Sequence, residues 1–166
     1  EVLDLCAGSG CIGITLKCEC QDAEVTLVEK FDEAFGYTVK NAEHNNADVK
    51  ILKGDVLKTE GADGLYDLIV SNPPYVTETE KNEMDANVLG WEPGLALFVP
   101  DEDPLRFYNR IARLGSELLL PGGKLYFEIN QAYGRETAHI LEMNQYRDVR
   151  VIRDIFGKDR IVTANR

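Results

Sequence analysis

The sequence lacks any long hydrophobic run. Its apolar stretches fall far short of the roughly 18 residues that a membrane-spanning helix requires, and no charged segment followed by an apolar one opens the chain. Hydrophobic residues make up 44% and charged residues 28%, as in ordinary globular proteins. At 166 residues the chain has room for one domain with a substantial core. We therefore expect a soluble cytoplasmic protein with no membrane partner, in which residues 1–166 form a single domain.

Basic residues are scarce. Only 18 of them stand against 29 acidic residues, so the net charge is −11, and no long basic run is present. A field of that sign repels nucleic-acid phosphates unless a local basic stripe overrides it. The composition therefore predicts a protein or small-molecule partner and no direct binding to nucleic acid.

The spacing of the cysteines lacks the paired C-x2-C pattern that is typical of zinc sites. All four lie near the amino terminus, namely Cys6, Cys11, Cys18 and Cys20. In a cytosolic protein such cysteines remain reduced. We therefore predict no metal site.

The most informative stretch is Asn72-Pro73-Pro74-Tyr75, which follows the apolar run 68–70 and one serine. That run predicts a buried strand, so the tetrapeptide lies at a strand's carboxyl end, where open α/β sheets bind ligands. The two prolines make a rigid turn that leaves the Asn72 amide oxygen and the Pro73 carbonyl free as acceptors. Two fixed acceptors suit a substrate NH2 group. The alternative is a strand-ending turn with no chemistry.

A glycine loop follows the first predicted strand, Val2 to Leu5, and leads into a helix around 14–17. Gly8, Gly10 and Gly13 satisfy G-x-G-x-x-G, which alone is a weak signal for a nucleotide site. Such a loop turns backbone N–H groups towards a ligand. Asp4, at the strand end, would repel a pyrophosphate and suits a cationic ligand, which argues against a nicotinamide cofactor. The alternative is an ordinary tight turn in which Asp4 accepts bonds from loop N–H groups.

Acidic residues end two further predicted strands. Glu29 closes the strand 24–29 at the distance where an acid meets ribose hydroxyls in nucleotide-binding βαβ units, or else it is a solvated carboxylate that caps the next helix. Asp55 follows the strand 49–52 and either accepts from an adenine amino group or is a turn residue. Polar groups at four strand ends, Asp4, Glu29, Asp55 and Asn72, predict a convergent pocket.

The remaining segments complete an α/β pattern. Residues 76–103 predict a long irregular connection rich in acids, with Lys81 as its one base. Asp103 as N-cap and Pro104 at the first position predict a helix to about Leu119, stopped by the segment 121–123. The other predicted elements are a helix at 32–45, strands at 66–70 and 124–129, a helix at 134–144 and a hairpin of 149–152 with 160–163. Alternating strands and helices indicate a mainly parallel sheet, to which the hairpin adds an antiparallel strand.

The chain resembles the catalytic domain of HemK-type methyltransferases. The resemblance covers nearly the whole sequence and rests on residues 2–13, Glu29, Gly54-Asp55, Asn72 to Tyr75, Glu92-Pro93 and Ala96-Leu97-Phe98. It implies a Rossmann-like class I fold with a seven-stranded, mostly parallel sheet. It also implies the transfer of a methyl group from S-adenosylmethionine to a glutamine side-chain nitrogen of peptide chain release factors. The family's helical amino-terminal domain is expected to be absent here, since the chain opens on a core strand.

The resemblance also implies roles for individual residues. The methionine part of the cofactor would be wrapped by Cys6, Ala7, Gly8, Ser9 and Gly10, next to Asp4. Glu29 would hold the ribose, and Asp55 with Val56 would lie by the adenine. Asn72, Pro73, Pro74 and Tyr75 would bind the glutamine, with Asn72, Pro73 and Tyr75 as the catalytic group and Tyr75 packed against the flat target amide.

The sequence departs from the family pattern at three places, at Ala7, at Gly13 and over 99–103. These departures bear on substrate identity more than on reaction type. The alternative enzyme is an N6-adenine methyltransferase acting on DNA or RNA, because such enzymes share the Asn-Pro-Pro-Tyr motif. A nucleotide-binding module without catalysis and, more distantly, a nicotinamide oxidoreductase complete the alternatives.

Overall fold

The structure is a computed structural model that describes residues 1–58, 63–81 and 98–166. Its strands are β1 (Val2–Leu5), β2 (Val25–Glu29), β3 (Lys50–Lys53), β4 (Tyr66–Ser71), β5 (Val76–Thr77), β6 (Phe98–Val99), β7 (Leu119–Glu128), β8 (Arg147–Arg153) and β9 (Asp159–Asn165). Its α-helices are α1 (Cys11–Glu19), α2 (Asp32–His44), α3 (Glu78–Lys81), α4 (Arg106–Leu118) and α5 (Gly134–Met143). Short 3-10 turns occupy Val56–Lys58 and Gln131–Tyr133. Among the helices so described, none is both long and apolar enough to cross a bilayer.

Seven strands form one sheet in the order β3-β2-β1-β4-β7-β9-β8. The first five in that order run parallel, whereas β9 is antiparallel to both β7 and β8. The mostly parallel seven-stranded sheet and the carboxyl-terminal hairpin are therefore confirmed. The strand order reverses at β1, whose two neighbours in the sheet are β2 on one side and β4 on the other. Doubly wound sheets bind their ligands at such a reversal point.

Helices cover both faces of this sheet. On one face Val2 and Leu27 pack against Ile14 of α1 and Ala42 of α2. On the other face Leu3 and Leu5 join a larger cluster with α4 and α5, which includes Tyr108, Ile111 and Leu141. Alternate residues of β1 thus enter opposite clusters, as the two-residue period of a strand requires. This double cover explains why all four residues of β1 are buried.

Helix α2 lies within one residue of its predicted bounds. Asp32 and Glu33 occupy its first turn and His44 its last, which complements the helix dipole. Its buried residues, Ala34, Thr38 and Ala42, recur every four positions and so form one stripe towards the sheet.

The predicted start of α4 is wrong. The helix begins at Arg106, with Leu105 as an N-cap that has no side-chain bond, and not at Asp103-Pro104. The reason is a pair of turns: the Asp103 N–H donates to the Pro100 carbonyl at 3.1 Å, and the Arg106 N–H donates to the Asp103 carbonyl at 3.4 Å. These bonds close the chain into turns before the first helical residue.

The segment 121–123 does not separate helix from strand as predicted. Strand β7 begins at Leu119, directly after α4, and the glycines lie within it. The pairing jumps from Tyr66 with Leu119 to Leu68 with Lys124, so the extra residues form an irregularity. Gly122 has φ +83°, a conformation that glycine adopts without steric cost, and its N–H donates to the Arg166 carbonyl at 3.1 Å.

The connection predicted as irregular over 76–103 contains regular structure in its described parts. Strands β5 and β6 pair in parallel, Val76 with Phe98 and Thr77 with Val99, and α3 follows β5. A two-residue pairing carries too little periodicity to be visible in sequence. The family signature at Glu92-Pro93 and Ala96-Leu97, and Trp91 beside it, lie outside the described residues.

Candidate functional site

A cavity of about 920 Å³ opens at the carboxyl edge of the sheet, around the ends of β1, β2, β3 and β4. The four polar residues predicted at strand ends, Asp4, Glu29, Asp55 and Asn72, all line it. So do Cys6, Ala7, Gly8, Ser9, Val56, Pro73, Pro74 and Tyr75. The structure therefore brings every predicted site residue except Gly10 to one cavity, whose volume suits a small-molecule ligand.

The glycine loop is shaped by its backbone. Cys6, Gly8 and Gly10 all have positive φ, at 61°, 60° and 80°. Gly10 is buried behind the loop, where a Cβ would lie 2.7 Å from the Ile14 Cδ1 atom. Gly10 thus serves as a close-packed N-cap of α1 and does not face the cavity. Cys6 is the strained residue of the loop, since side-chain-bearing residues rarely adopt positive φ.

Asp4 is almost completely buried beneath this loop, with 1% of its surface exposed. Its Oδ2 accepts from the Gly13 N–H at 2.9 Å, whereas its Oδ1 has no hydrogen-bond partner among the described residues. Burial raises the pKa of Asp4 to about 7, with Glu29 adding to the rise and the Gly13 bond opposing it. Gly13, one of the departures from the family pattern, has a steric reason: a Cβ there would lie 2.9 Å from Leu27.

Asp4→Asn is expected to stabilise the protein at neutral pH and not at acidic pH. The folded-state pKa of Asp4 is about 7 against an ordinary value of 3.8, so between these values the folded protein binds the extra proton. The free energy of unfolding therefore falls as pH rises through that window, by at most about 1.4 kcal/mol per pH unit. Asn remains neutral and still offers an acceptor to the Gly13 N–H. The difference in the free energy of unfolding between the variant and the wild type should therefore grow to a few kcal/mol as pH rises.

Urea unfolding at pH 4 and pH 8 measures this effect. Asp22→Asn removes a carboxylate from an exposed position and is the matched control for the loss of one negative charge. An equal Asp4→Asn effect at both pH values would contradict the raised pKa.

Glu29 organises the loop from the end of β2. Its Oε2 accepts from the Gly8 N–H at 2.8 Å, and its Oε1 accepts from the N–H groups of Lys30 and Phe31, each at 2.8 Å. Glu29 is therefore buried and engaged, and the predicted alternative of a solvated helix cap does not describe it. Because a carboxylate offers about four lone-pair sites, Oε2 retains acceptor capacity on the cavity side.

Asp55 combines a turn with a charge pair. Its Oδ1 accepts from the Leu57 N–H at 3.1 Å, and its Oδ2 lies 3.1 Å from the Lys30 Nζ. The turn geometry that the sequence left open is thus present, and Asp55 with Val56 also lines the cavity.

The turn at the end of β4 places an exposed Asn72 beside two buried prolines. The carboxamide of Asn72 forms no hydrogen bond to the residues that the structure describes. Tyr75 is half-buried, and its hydroxyl donates to the Glu128 Oε1 at 3.1 Å. Burial, aided by the Glu128 charge, raises the pKa of Tyr75 to about 12, so the hydroxyl keeps its proton at neutral pH.

Several cavity residues carry no sequence signal. Lys30 and Phe31 follow Glu29 directly, whereas Arg106 and Phe107 lie at the start of α4, far along the chain. The Arg106 Nε is buried and has no hydrogen-bond partner among the described residues. Nothing in the sequence around the start of α4 marks Arg106 and Phe107 as cavity-lining, because only the packing of α4 on the sheet brings them there.

Comparisons with known proteins identify relatives of this chain. The chain is 64% identical over its whole length to a release factor glutamine methyltransferase of Bacteroides thetaiotaomicron, of which it covers 60%. It is 42% identical over 99% of its length to the enzyme of the same name from Flavobacterium psychrophilum, of which it covers 58%. The chain thus spans about 60% of the length of these curated relatives.

The fold also matches a solved structure, and a family matches the first half of the sequence. A 16S rRNA methyltransferase of T. thermophilus, solved with AdoMet and guanosine, superimposes with a TM-score of 0.67 at 20% identity over 99% of this chain and 37% of its own. At that identity the likeness shows the fold alone. The Methyltransferase small domain family matches residues 1–89, which include the glycine loop, Glu29 and the Asn72 to Tyr75 turn. The chain belongs to the Methyltransferase small domain family.

Proposed function

We propose that this chain is the catalytic domain of an S-adenosylmethionine-dependent methyltransferase that modifies a glutamine side-chain nitrogen of peptide chain release factors. The observation that carries the proposal is the placement of Asn72 to Tyr75 on the wall of the cavity that also holds Asp4 and Glu29. The relatives' shared name supports the substrate. Residues 1–166 would form the single catalytic domain, working in the cytoplasm.

The residues present fit the methyl donor. S-adenosylmethionine supplies an electrophilic methyl group on a positively charged sulfur, next to an ammonium group and a ribose. The buried Asp4 Oδ1, which lacks a partner among the described residues, suits the positive charge. Glu29 lines the same cavity, and its carboxylate suits ribose hydroxyls, while Val56 would offer apolar surface to the adenine.

The turn after β4 fits the methyl acceptor. An amide nitrogen is a weak nucleophile because its lone pair is delocalised into the carbonyl. The Asn72 amide oxygen and the Pro73 carbonyl would accept the two amide hydrogens, orient the nitrogen towards the methyl group and favour its pyramidal form. The bound cofactor would supply the methyl group, and the amide nitrogen would give up one proton to solvent in exchange. Catalysis on this scheme is mainly positioning and electrostatics.

A second candidate is N6-adenine methylation of DNA or RNA, because the same two acceptors suit an exocyclic amino group. The net charge of −11 and the lack of a long basic run weigh against it, since phosphate binding requires local positive charge. Methylation of an oligonucleotide by the full-length protein, with none of a release factor, would favour this candidate.

The proposal is tested in two steps. Calorimetric titration with S-adenosylmethionine, S-adenosylhomocysteine and NADH should show binding of the first two only. Mass spectrometry of a release factor incubated with the full-length protein and S-adenosylmethionine should then show one added methyl group on a glutamine. Binding of NADH alone would contradict the cofactor, and binding of the donor without any methylated protein would favour a module without catalysis.

A further inference from the structure

The Asn72 to Tyr75 turn is held at its exit by a side chain from another part of the chain. The Asn130 Nδ2 donates to the Tyr75 carbonyl at 3.2 Å and to both carboxylate oxygens of Glu80, at 3.1 and 3.0 Å. The Asn130 Oδ1 accepts from the Ala132 N–H at 2.9 Å. Only 7% of Asn130 is exposed, so its carboxamide is buried and engaged on both sides.

Glu80 closes these contacts into a ring. Its Oε2 accepts from the Thr77 N–H at 2.9 Å and from the Thr77 hydroxyl at 3.0 Å. Although burial acts to raise it, the bonds from Thr77 and Asn130 lower the pKa of Glu80 below its usual value. Glu80 is therefore ionised at neutral pH, and its bonds are charge-assisted. The ring joins Tyr75, Thr77 and Glu80 to Asn130.

Two other bonds fix the turn. At its entry the Ser71 hydroxyl donates to the Leu5 carbonyl at 2.6 Å, which ties the end of β4 to β1. At its exit the Tyr75 hydroxyl donates to Glu128, the last residue of β7. The rigid proline pair thus lies between two anchored ends, and Asn130 is the only one of the described residues whose side chain bonds to the Tyr75 carbonyl.

We propose that Asn130 is a positioning residue for methyl transfer, acting through the Tyr75 carbonyl and Glu80 on the orientation of Asn72 and Pro73. This inference rests on the proposed function. Reacting groups must be held within a fraction of an ångström of their productive geometry, and a displacement of about 1 Å costs roughly 100-fold in rate. Because the proline rings fix φ, the turn moves as a rigid unit. A shift of the backbone at Tyr75 would therefore displace the Asn72 amide oxygen and the Pro73 carbonyl as well.

The test compares Asn130→Asp, Glu80→Gln and the double variant in the full-length protein. Asn130→Asp removes all three donated bonds and places a second carboxylate against Glu80, so kcat should fall by about 30-fold. The dissociation constant for S-adenosylhomocysteine should stay within about two-fold, because Asn130 does not line the cavity. In the double variant the amide introduced at position 80 donates to the carboxylate introduced at position 130. The bond to the Tyr75 carbonyl is not restored, so kcat should recover only in part, by about three-fold relative to Asn130→Asp alone.

Asn165→Asp is the matched control. The Asn165 Nδ2 also donates to a carboxylate, the Asp148 Oδ2 at 2.9 Å, but at the exposed hairpin. The same chemical change there should leave kcat unchanged. A purely structural role for Asn130 would lower the unfolding midpoint of Asn130→Asp while leaving kcat intact at a temperature where all variants are folded.

The outcomes separate this inference from the function it rests on. If the wild-type protein methylates glutamine and Asn130→Asp keeps kcat within about two-fold, the positioning role is rejected and the function stands. If kcat falls and the double variant shows no recovery, the role assigned to Glu80 is rejected and the Tyr75 carbonyl is the contact through which Asn130 acts. If the wild-type protein methylates no glutamine, both proposals fail. A selective loss of kcat with recovery in the double variant supports the positioning role.

Discussion

Asn72→Ala is expected to reduce methyl transfer by about 100- to 1000-fold, the range typical of removing one preorganised hydrogen-bonding group. The Asn72 carboxamide is exposed to the cavity and bonds to none of the described residues, so its removal should leave the fold intact. The dissociation constant of S-adenosylmethionine should change by no more than about three-fold. Single-turnover methylation of a release factor and calorimetric titration of the donor measure the two effects separately.

Asn45→Ala is the control for this experiment. Asn45 lies just after α2 and is exposed, and within the described ranges its side chain bonds only to the Asn41 carbonyl, at 2.8 Å. It should retain both the rate and the donor affinity of the wild type. If Asn72→Ala lowered the methylation rate and the affinity for S-adenosylmethionine by similar factors, Asn72 would belong to the cofactor site and not to the glutamine site.

Glu29→Gln is expected to weaken donor binding by about 10- to 100-fold, because hydrogen bonds to a charged group contribute about 1.5–3 kcal/mol. The carboxylate accepts three N–H bonds that shape the loop, and Gln retains an acceptor oxygen for only part of them. The single-turnover rate at saturating donor should fall far less than the affinity. Calorimetry with S-adenosylhomocysteine and single-turnover kinetics distinguish these effects.

Glu43→Gln gives the matched control, since Glu43 is an exposed carboxylate on α2 that does not line the cavity. Its donor affinity should equal that of the wild type. An unchanged dissociation constant for Glu29→Gln would exclude Glu29 from the ribose site. A loss of affinity for 5′-methylthioadenosine as large as for S-adenosylhomocysteine would place the effect at the nucleoside and not at the methionine part.

The sheet and most of the residues that line the cavity were predictable, because the sequence patterns that indicate them lie within short segments of the chain. An apolar run followed by a polar residue marks a strand end, and the carboxyl ends of parallel strands meet at one edge. Asp4, Glu29 and Asn72 could therefore be placed together without knowledge of any contact. Gly10 is the one predicted site residue that does not line the cavity, and its close packing against Ile14 explains the glycine there.

The element boundaries that failed depend on contacts outside the element. The Asp103-Pro104 pair has the chemistry of a helix start. The helix nevertheless begins later, because the Asp103 N–H donates to the Pro100 carbonyl and the Asp103 carbonyl accepts from the Arg106 N–H. Strand β7 begins at Leu119 because Tyr66 pairs with it, which no local propensity reveals. Tertiary contacts worth a few hydrogen bonds outweigh differences in local propensity of well under about 1 kcal/mol per residue.

Residues close together in the chain suffice to predict the α/β pattern, the rigid turn at Pro73-Pro74, and the polar strand ends at Asp4, Glu29, Asp55 and Asn72. The contacts that hold this turn become visible only in the folded protein. Asn130 is 55 residues from Tyr75 and 50 from Glu80, and bonds of that separation depend on how β4 and β7 pair. The burial of Asp4, and with it the raised pKa, is likewise a property of the loop folded over it.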